Sequence, residues 1–268
     1  MKKLIAILFV LSAFLCYYAT RPVKHSVPST SNVPQISEKS SMYGSGPGKL
    51  LPGVEQWPKP VRLFYHAYYL KDFCQEKTGL KNWISLGKTP KNLQHALVAI
   101  EDKRFYEHHG IDADGILRAT LVNIQEGGIV QGGSTLTQQL VKNNLLSDEQ
   151  TLARKLQEAS FAFLVESRYS KEDILEMYFN TTYFGGGATG IKEAAKIFFG
   201  LEPFQLSLSE CALLAGLPNA PSALNPLENP EGSLKRRNLV LKAMGDAGYL
   251  RKDEVTAAQA EPLGVNKM

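Results

Sequence analysis

Residues 207–218 read SLSECALLAGLP and contain a helix together with its start and stop signals. Ser207 and Glu210 have the spacing of a capping box, in which each side chain bonds the backbone N–H of the other residue. Gly216 followed by Pro218 predicts the helix end, because glycine favours the terminal turn and proline cannot continue it. Residues 211–215 between these signals are all apolar, so we expect this helix, with Cys211, to lie in the core.

Similar signals recur along most of the chain. Capping-box spacing predicts further helix starts at Thr135/Gln138, Ser147/Gln150 and Ser170/Asp173, and Thr89-Pro90 predicts another. Helical spacing of apolar residues also covers residues 112–126, 190–199 and 233–247. Strand signals are confined to residues 57–69 and 83–86. The sequence therefore predicts a mostly α domain, with short β pieces near its N-terminal side at most.

Composition excludes several classes of protein. The chain has 268 residues, of which 44% are hydrophobic and 21% charged, which is ordinary for a globular domain. Without Lys2 and Lys3, 28 basic residues stand against 26 acidic ones, so no strongly basic face for nucleic acid is predicted. The three cysteines, Cys16, Cys74 and Cys211, are too few for a disulfide scaffold or a four-cysteine zinc site. A Cys74–Cys211 disulfide remains an alternative to two core thiols.

The N-terminus has the pattern of a membrane anchor. Lys2 and Lys3 precede sixteen mostly apolar, uncharged residues, 4–19, and Arg21 follows. This stretch ends in bulky residues where a signal peptidase needs small ones, so residues 1–21 are predicted to be an uncleaved transmembrane signal anchor. A cleaved signal peptide is the alternative. Residues 22–53 are rich in Ser, Pro and Gly and are predicted to be a tether, which leaves residues 54–268 as the folded domain.

The first candidate for chemistry lies in residues 99–110, AIEDKRFYEHHG. Glu101 is expected at the edge of an apolar helix face and near the helix C-terminus. Partial burial and the negative end of a helix dipole both favour a carboxylate that accepts protons, so Glu101 is a candidate general base. The alternative is a solvated helix end. His108-His109 lacks the spacing of a zinc site, because adjacent histidines point apart on regular backbone.

Three further stretches combine polar groups with helix ends. Residues 132–142, GGSTLTQQLVK, place a glycine turn before a helix N-terminus, an arrangement that suits phosphate. Arg154 and Lys155 precede Glu158 by one helical turn, and Glu158 stands where the helix becomes apolar. Residues 174–180, ILEMYFN, are followed by Gly185-Gly186-Gly187. Each stretch alone also fits a purely structural interpretation, namely a capped helix, a surface ion pair or a helix followed by a turn.

Together the four stretches resemble one family. The peptidoglycan glycosyltransferases of family 51 (the polymerase domain of class A penicillin-binding proteins and the monofunctional transglycosylases) carry similar motifs in this order, and residues 209–218, SECALLAGLP, resemble a fifth. The resemblance covers roughly residues 80–245. Many members have an arginine where this chain has Gln150, which would weaken one phosphate contact. Because the chain ends soon after residue 245, it resembles the monofunctional type.

The resemblance implies a lysozyme-like helical domain acting on lipid II, a lipid-linked disaccharide-peptide, and on a lipid-linked glycan strand. It implies that Glu101 is the general base of an inverting reaction. Glu158 would assist at the donor, directly or through a divalent ion such as Mg or Mn, and no cofactor is otherwise expected. Lys142, Arg154 and Lys155 would stabilise the departing pyrophosphate. The other motif positions carried over as substrate-binding are Asp102, Phe105, His108, Gly133, Ser134, Thr135, Thr137, Gln138, Gln139, Glu176 and Asn180.

The resemblance also implies a bacterial inner-membrane protein with a single span and its domain on the outer side. Its expected partners are the membrane and other cell-wall synthesis proteins, with no nucleic acid. Two other functions compete with this one. A lysozyme-like hydrolase or lytic transglycosylase would share the fold and the paired carboxylates, but glycan cleavage needs no pyrophosphate site. A non-catalytic wall-binding protein would be expected to have lost Glu101 or Lys142, and both are present.

Overall fold

The computed structural model describes residues 50–266 except residues 52, 129–131, 148 and 150. The predicted membrane anchor, nearly all of the predicted tether, and Gln150 lie outside these residues. The described part forms eleven α-helices: α1 Lys59–Tyr68, α2 Leu70–Thr78, α3 Lys91–Glu101, α4 Ala113–Gln125, α5 Leu136–Leu145, α6 Leu152–Arg168, α7 Lys171–Thr181, α8 Ile191–Phe199, α9 Leu208–Gly216, α10 Pro230–Asp246 and α11 Lys252–Ala260. The predicted mostly α architecture is confirmed.

Two sets of helices share one core. In the first set α9 packs against α3 and α10, and α10 also packs against α3 and α11. In the second set α5 packs against α6 and α7, while α1 packs against α6 and α2 against α7. The apolar helix that ends at Gly216 is almost wholly buried, as its sequence predicts. Cys74 and Cys211 are both buried and free, so the disulfide alternative is wrong.

Most helix boundaries follow the local signals. The capping boxes Thr135/Gln138, Ser170/Asp173 and Ser207/Glu210 are all present with both reciprocal hydrogen bonds. The cap predicted at Ser147 is wrong, since α6 begins after Thr151, whose side chain accepts from the Arg154 N–H. The cap predicted at Thr89 is also wrong, because Pro90 precedes α3 and supplies no side-chain cap.

The strand predictions were misplaced. Residues 57–69 are rich in aromatic residues, but Lys59–Tyr68 forms helix α1, in which the rings of Phe64 and Tyr68, four residues apart, stack on each other. Residues 83–86 form irregular chain that leads into the short 3-10 turn Leu86–Lys88. The hairpin of the described residues is formed instead by β1, Tyr183–Gly185, and β2, Ala188–Thr189.

The hairpin lies at the glycine-rich turn singled out in the sequence. Gly185 has φ of +89°, and a Cβ at this position would lie 2.4 Å from the carbonyl oxygen of Pro221. A side chain is therefore excluded here both by backbone conformation and by space. The turn holds β1 against the chain that follows α9, which forms one wall of the cleft described below.

The C-terminal chain is fastened to the core by Arg237 of α10. The Arg237 side chain is fully buried and donates hydrogen bonds to the backbone carbonyls of Gln259, Glu261 and Pro262. Burial lowers the pKa of the Arg237 guanidinium below its ordinary value. Further along, the Asn266 N–H donates to the carbonyl of Phe198 in α8. The chain after α11 is thus part of the folded unit.

Helix α4 presents an apolar outer face. Ile116, Leu117, Leu121 and Ile124 have exposed fractions of 40%, 64%, 62% and 72%, and only Gly115 and Ala119 of this helix are buried. We call these four side chains the α4 outer face. Within the described part of the chain, none of the helices has the length and apolar character needed to cross a bilayer.

Candidate active site

A cleft of about 1140 Å³ lies between the two sets of helices. Residues from α3, α5, α6 and α10 line it, together with Tyr183 of the hairpin and the turn Leu217–Asn219. Ten of the predicted site residues are among its lining: Glu101, Asp102, Gly133, Ser134, Thr135, Gln139, Lys142, Arg154, Lys155 and Glu158. The structure therefore brings both candidate catalytic carboxylates and all three candidate phosphate-binding cations to one cavity.

Glu101 is the last residue of α3, as predicted, and its side chain is 10% exposed. One carboxylate oxygen accepts a hydrogen bond from Gln139 Nε2 at 3.0 Å. The other accepts from the Arg236 guanidinium at 3.1 Å. Each oxygen of this carboxylate is therefore bound by a side chain from a different helix.

The orientation of Gln139 is fixed by Tyr178, which is fully buried. The Tyr178 hydroxyl donates to Gln139 Oε1 at 2.9 Å, which leaves the amide Nε2 to donate to Glu101. Burial, followed by the negative charge of Glu101, raises the pKa of Tyr178 well above its ordinary value of 10.0. Tyr178 is thus a neutral donor at any physiological pH.

Glu158 lies on α6 at the other side of the cleft, and its side chain is only 2% exposed. Arg154 donates to one carboxylate oxygen at 2.9 Å, and Lys155 contacts the other oxygen. Lys155 also donates to the Ser134 hydroxyl at 2.8 Å, which links α6 to the chain before α5. A buried carboxylate with two cations is stable only as a paired cluster, so Glu158 holds both cations at the cleft wall.

Three exposed cations at the cleft have no ionic partner among the described residues. Lys142 of α5 is exposed and its ammonium has no hydrogen bond or ion pair within the described part of the chain. Lys103 and Arg118 are also exposed, line the cleft, and form no ion pair with a described residue. Positive charge that protein carboxylates do not neutralise is available there to an anion.

Asp102 and His108 form a buried support behind the cleft. His108 Nε2 lies 3.0 Å from one oxygen of Asp102, and that same oxygen accepts from the Leu136 N–H at 2.9 Å. The Asp102 carboxylate therefore binds the N-terminus of α5, the helix end that the sequence predicted to be suited to phosphate. Thr135 and Gln138 form the capping box, in which the side-chain oxygen of each residue accepts the backbone N–H of the other.

Other predicted site residues lie in the same support rather than in the cleft. The Thr137 hydroxyl donates to Glu166 at 2.6 Å, and Lys171 donates to the other oxygen of Glu166, also at 2.6 Å. Lys171 lies 4.5 Å from the ring centre of buried Phe105. None of these side chains lines the cleft, so their geometry supports positioning of α5 rather than contact with a ligand.

Glu176 and Asn180 of α7 also lie away from the cleft. Glu176 accepts hydrogen bonds from the Trp83 indole at 3.0 Å and from the Leu86 N–H at 2.9 Å. Asn180 bonds both backbone groups of Ile84, accepting at 2.7 Å and donating at 2.8 Å. These two side chains fasten the irregular chain between α2 and α3 onto α7.

Gly133 has a packing reason to be glycine. A Cβ at this position would lie 3.2 Å from Ile116 Cα and 3.3 Å from a side-chain carbon of the same residue. The chain before α5 therefore approaches the backbone of α4 closely, which places Ser134 opposite Lys155.

Sequence reasoning missed three residues of this region. Arg236 is 135 positions from Glu101, and the helical pattern around it gave no sign of its partner. Glu166 stands in an otherwise apolar part of α6, and a buried acid among apolar residues was the available signal. Arg118 is an isolated cation on the apolar helix α4.

A metal ion does not fit the residues of this cleft. Both oxygens of Glu158 already bind cations. Within the described part of the chain there is no group of three or more His, Cys, Asp or Glu side chains that could hold a metal ion.

The chain was compared with known proteins. A family model described as Transglycosylase matches residues 69–245. Penicillin-binding protein 1A of Aquifex aeolicus is 48% identical over 216 residues, which are 80% of this chain and 30% of that protein. A protein of Cupriavidus necator, named as a transglycosylase, is 43% identical over 68% of this chain and 78% of its own length.

A crystal structure of penicillin-binding protein 1A from Haemophilus influenzae aligns with 69% of this chain and 18% of its own, with 28% identity and a TM-score of 0.42. The chain covers less than a third of the length of the penicillin-binding proteins that it matches. The family match includes the residues that build the cleft from Glu101 to Arg236. On these matches, the chain belongs to the transglycosylase family.

Proposed function

We propose that this domain is a peptidoglycan glycosyltransferase, which polymerises lipid II into β-1,4 glycan strands and releases the lipid pyrophosphate. One observation carries the proposal. A single cleft contains a carboxylate held on both oxygens, Glu101, and a separate wall of cations and a hydroxyl formed by Lys142, Arg154, Lys155 and Ser134. A glycosyl transfer from a pyrophosphate donor needs both kinds of group.

Glu101 is the proposed general base. It would accept the proton of the acceptor's sugar 4-hydroxyl while that oxygen forms a bond to the anomeric carbon of the donor. The bond from the anomeric carbon to the pyrophosphate oxygen breaks at the same time, and its electron pair leaves with the lipid pyrophosphate. Attack from the side opposite the leaving group inverts the α-linked donor to a β-linked product.

The cations would stabilise the negative charge that develops on the leaving pyrophosphate. Lys142 is suited to this role because its ammonium is exposed and unpaired within the described residues. Arg154 and Lys155 are held by Glu158, which fixes their positions before substrate arrives. Glu158 would thus act on the donor through the two cations, and we propose no step through a divalent ion.

We also propose that the domain works at the outer surface of the bacterial inner membrane, tethered by a transmembrane helix within residues 1–21. The α4 outer face supports this, because four large apolar side chains of one helix are exposed beside a residue that lines the cleft, Arg118. Such a face suits contact with lipid, and the proposed substrates carry lipid tails. A lysozyme-like arrangement of the helices and cell-wall synthesis partners belong to the same proposal.

The test is polymerisation of labelled lipid II by the detergent-solubilised full chain, resolved on a gel, with a Glu101→Gln variant in parallel. A ladder of glycan from the wild type that is absent from the variant supports the function and its base. Cleavage of preformed glycan strands without any ladder would move the assignment to a hydrolase or lytic enzyme. A ladder from both proteins would retain the function and overturn the choice of base.

A further inference from the structure

The Glu101 carboxylate is bound by a residue outside the stretches that carry the family resemblance. We infer that Arg236 is a positioning residue for Glu101, and that position 216 is glycine because the Arg236 side chain crosses it to reach that carboxylate. The inference rests on the proposed function, in which Glu101 is the base. It gives a specific role to the end of the fifth motif, Leu-Ala-Gly-Leu-Pro, which the proposed reaction leaves without one.

The path of the Arg236 side chain is defined at both ends. Its Nε donates to the carbonyl of Gly216 at 3.1 Å, and its Nη2 donates to Glu101 Oε1 at 3.1 Å. The guanidinium therefore bridges the C-terminus of α9 and the C-terminus of α3. The Arg236 side chain is 17% exposed, so much of the charge is removed from water.

Gly216 is required for space rather than for backbone freedom. Its φ of −81° and ψ of −22° are ordinary helical values that alanine adopts readily. A Cβ at this position, however, would lie 2.9 Å from Arg236 Cγ and 3.3 Å from Val240 Cγ2. Since Cγ is close to the backbone of α10, the arginine could not give way at its tip and would have to leave its path.

The two contacts to Glu101 act together. Gln139 of α5 binds one oxygen and Arg236 of α10 binds the other, so the carboxylate plane is fixed between the two sets of helices. Arg236 therefore both orients the Glu101 carboxylate and places a positive charge 3.1 Å from it.

Other charged and titratable groups also face this region. Asp102 and Lys103 follow Glu101 directly, and Tyr178 of α7 approaches it through Gln139. Across the cleft stand Lys142, Arg154, Lys155 and Glu158. Arg236 is the residue in ionic contact with Glu101 among those that the structure describes. Its removal is therefore expected to change the contacts and the local charge at Glu101 more than removal of any other single described cation.

The experiment measures lipid II polymerisation by the full chain over a range of pH for wild type, Arg236→Met, Arg236→Lys and Gly216→Ala. Lys235→Gln is the matched control, because it removes one positive charge from the adjacent, exposed position of the same helix. Thermal unfolding of every variant is recorded in parallel. The acidic limb of kcat/KM reports the base of the free enzyme.

For Arg236→Met we expect the acidic limb of the pH profile to move to higher pH, because the variant lacks the opposite charge 3.1 Å from the carboxylate. We expect kcat to fall by about 10- to 100-fold from loss of orientation, with a smaller change in KM. Arg236→Lys should restore the acidic limb but only part of kcat, since lysine supplies the charge without the planar fork. Gly216→Ala should change kcat and the pH profile in the same way as Arg236→Met. The variant that carries both substitutions should lose no more activity than either single variant.

Several outcomes would overturn the inference. An Arg236→Met enzyme that is slower but has the wild-type pH profile would give Arg236 a purely structural role. Wild-type kinetics in Gly216→Ala would show that position 216 need not be glycine for Arg236 to act. An acidic limb that moves as far in Lys235→Gln as in Arg236→Met would show that only the net charge of the protein matters. If Arg236→Met does not fold, Gly216→Ala and Arg236→Lys decide the matter. A wild-type chain that makes no polymer would instead overturn the proposed function itself.

Discussion

His108 Nε2 lies 3.0 Å from a carboxylate oxygen of Asp102, and both side chains are less than 5% exposed. That oxygen also accepts the Leu136 N–H at the start of α5, so one carboxylate joins the end of α3 to two other segments. Asp102 directly follows Glu101 in the sequence. These contacts set the distance between α3 and α5. They thereby also set the distance between Glu101, the proposed base, and Lys142, the proposed phosphate-binding lysine.

Replacing Asp102 by alanine is expected to lower the free energy of unfolding by about 3 kcal/mol, because a buried imidazole and a buried N–H both lose their acceptor. Chemical denaturation measures the change. Asp114→Ala is the control, since Asp114 is 70% exposed and its ion pair with Arg104 is expected to contribute less than about 1 kcal/mol. Equal losses in the two variants would show that the buried pair is not a support.

Lys142→Gln is expected to reduce polymerisation strongly and to leave stability unchanged. The ammonium is exposed and bonds no described residue, so its removal should alter the free energy of unfolding by no more than about 0.5 kcal/mol. Loss of one group that stabilises developing charge typically lowers kcat by about 100-fold or more. Lys196→Gln, at an exposed position of α8, is the control for the change of charge. An active Lys142→Gln enzyme would argue against the proposed phosphate site.

The hairpin offers a matched pair of glycine substitutions. Gly187→Ala meets no neighbouring atom within 4 Å at φ of +82°, so it should cost only the conformational penalty of about 1–2 kcal/mol. Gly185→Ala has a similar φ but would place its Cβ 2.4 Å from the Pro221 oxygen, and we expect a further 1–3 kcal/mol. Thermal unfolding of the two variants compares them directly. Similar melting temperatures would mean that the Pro221 chain moves aside at little cost.

Acid should weaken the attachment of α2 to α7. Burial raises the pKa of Asp173, but the hydrogen bond and charge of Lys71, 2.7 Å away, outweigh it and hold this pKa below 3.8. Because the folded pKa is lower than the unfolded one, the stabilisation is present above about pH 4 and is lost as pH falls through the folded pKa. The free energy of unfolding should therefore fall less between pH 5 and pH 3 in Asp173→Asn than in wild type.

The reciprocal variant tests the same linkage. Lys71→Met removes the cation that lowers the pKa of Asp173, so its unfolding free energy should likewise lose part of its acid dependence. If both variants track the wild type across this range, the ion pair makes no contribution that depends on pH.

Local chemistry explains what could be predicted from the sequence. A capping box such as Ser207/Glu210 is complete within four residues, so its spacing alone predicts the helix start. Aromatic content misled the prediction for residues 57–69, because rings four residues apart stack along a helix as readily as they line a strand. Spacing likewise could not separate Glu101, which lines the cleft, from Glu176, which bonds Trp83 and Leu86 behind it.

Partners far apart in sequence explain what could not be predicted. Arg236 reaches Glu101 across 135 positions, and only the packing of α10 on α3 and α9 brings them together. The apolar spacing of α4 correctly predicted a helix, but spacing does not say whether an apolar face meets the core or remains exposed.

The buried guanidinium of Arg237 couples the stability of the core to the chain that follows α11. The family match ends at residue 245, inside α10, yet the acceptors of Arg237 are carbonyls of residues 259, 261 and 262. A version cut at the family boundary would lose these three carbonyl acceptors and leave the guanidinium with only the Ser209 hydroxyl and the Asn238 side chain, so we expect it to be less stable than the full domain. Genetic dissection, domain transplantation and protease trimming of this protein should therefore preserve the chain through Pro262, because the end of the family match is not the end of the packed unit.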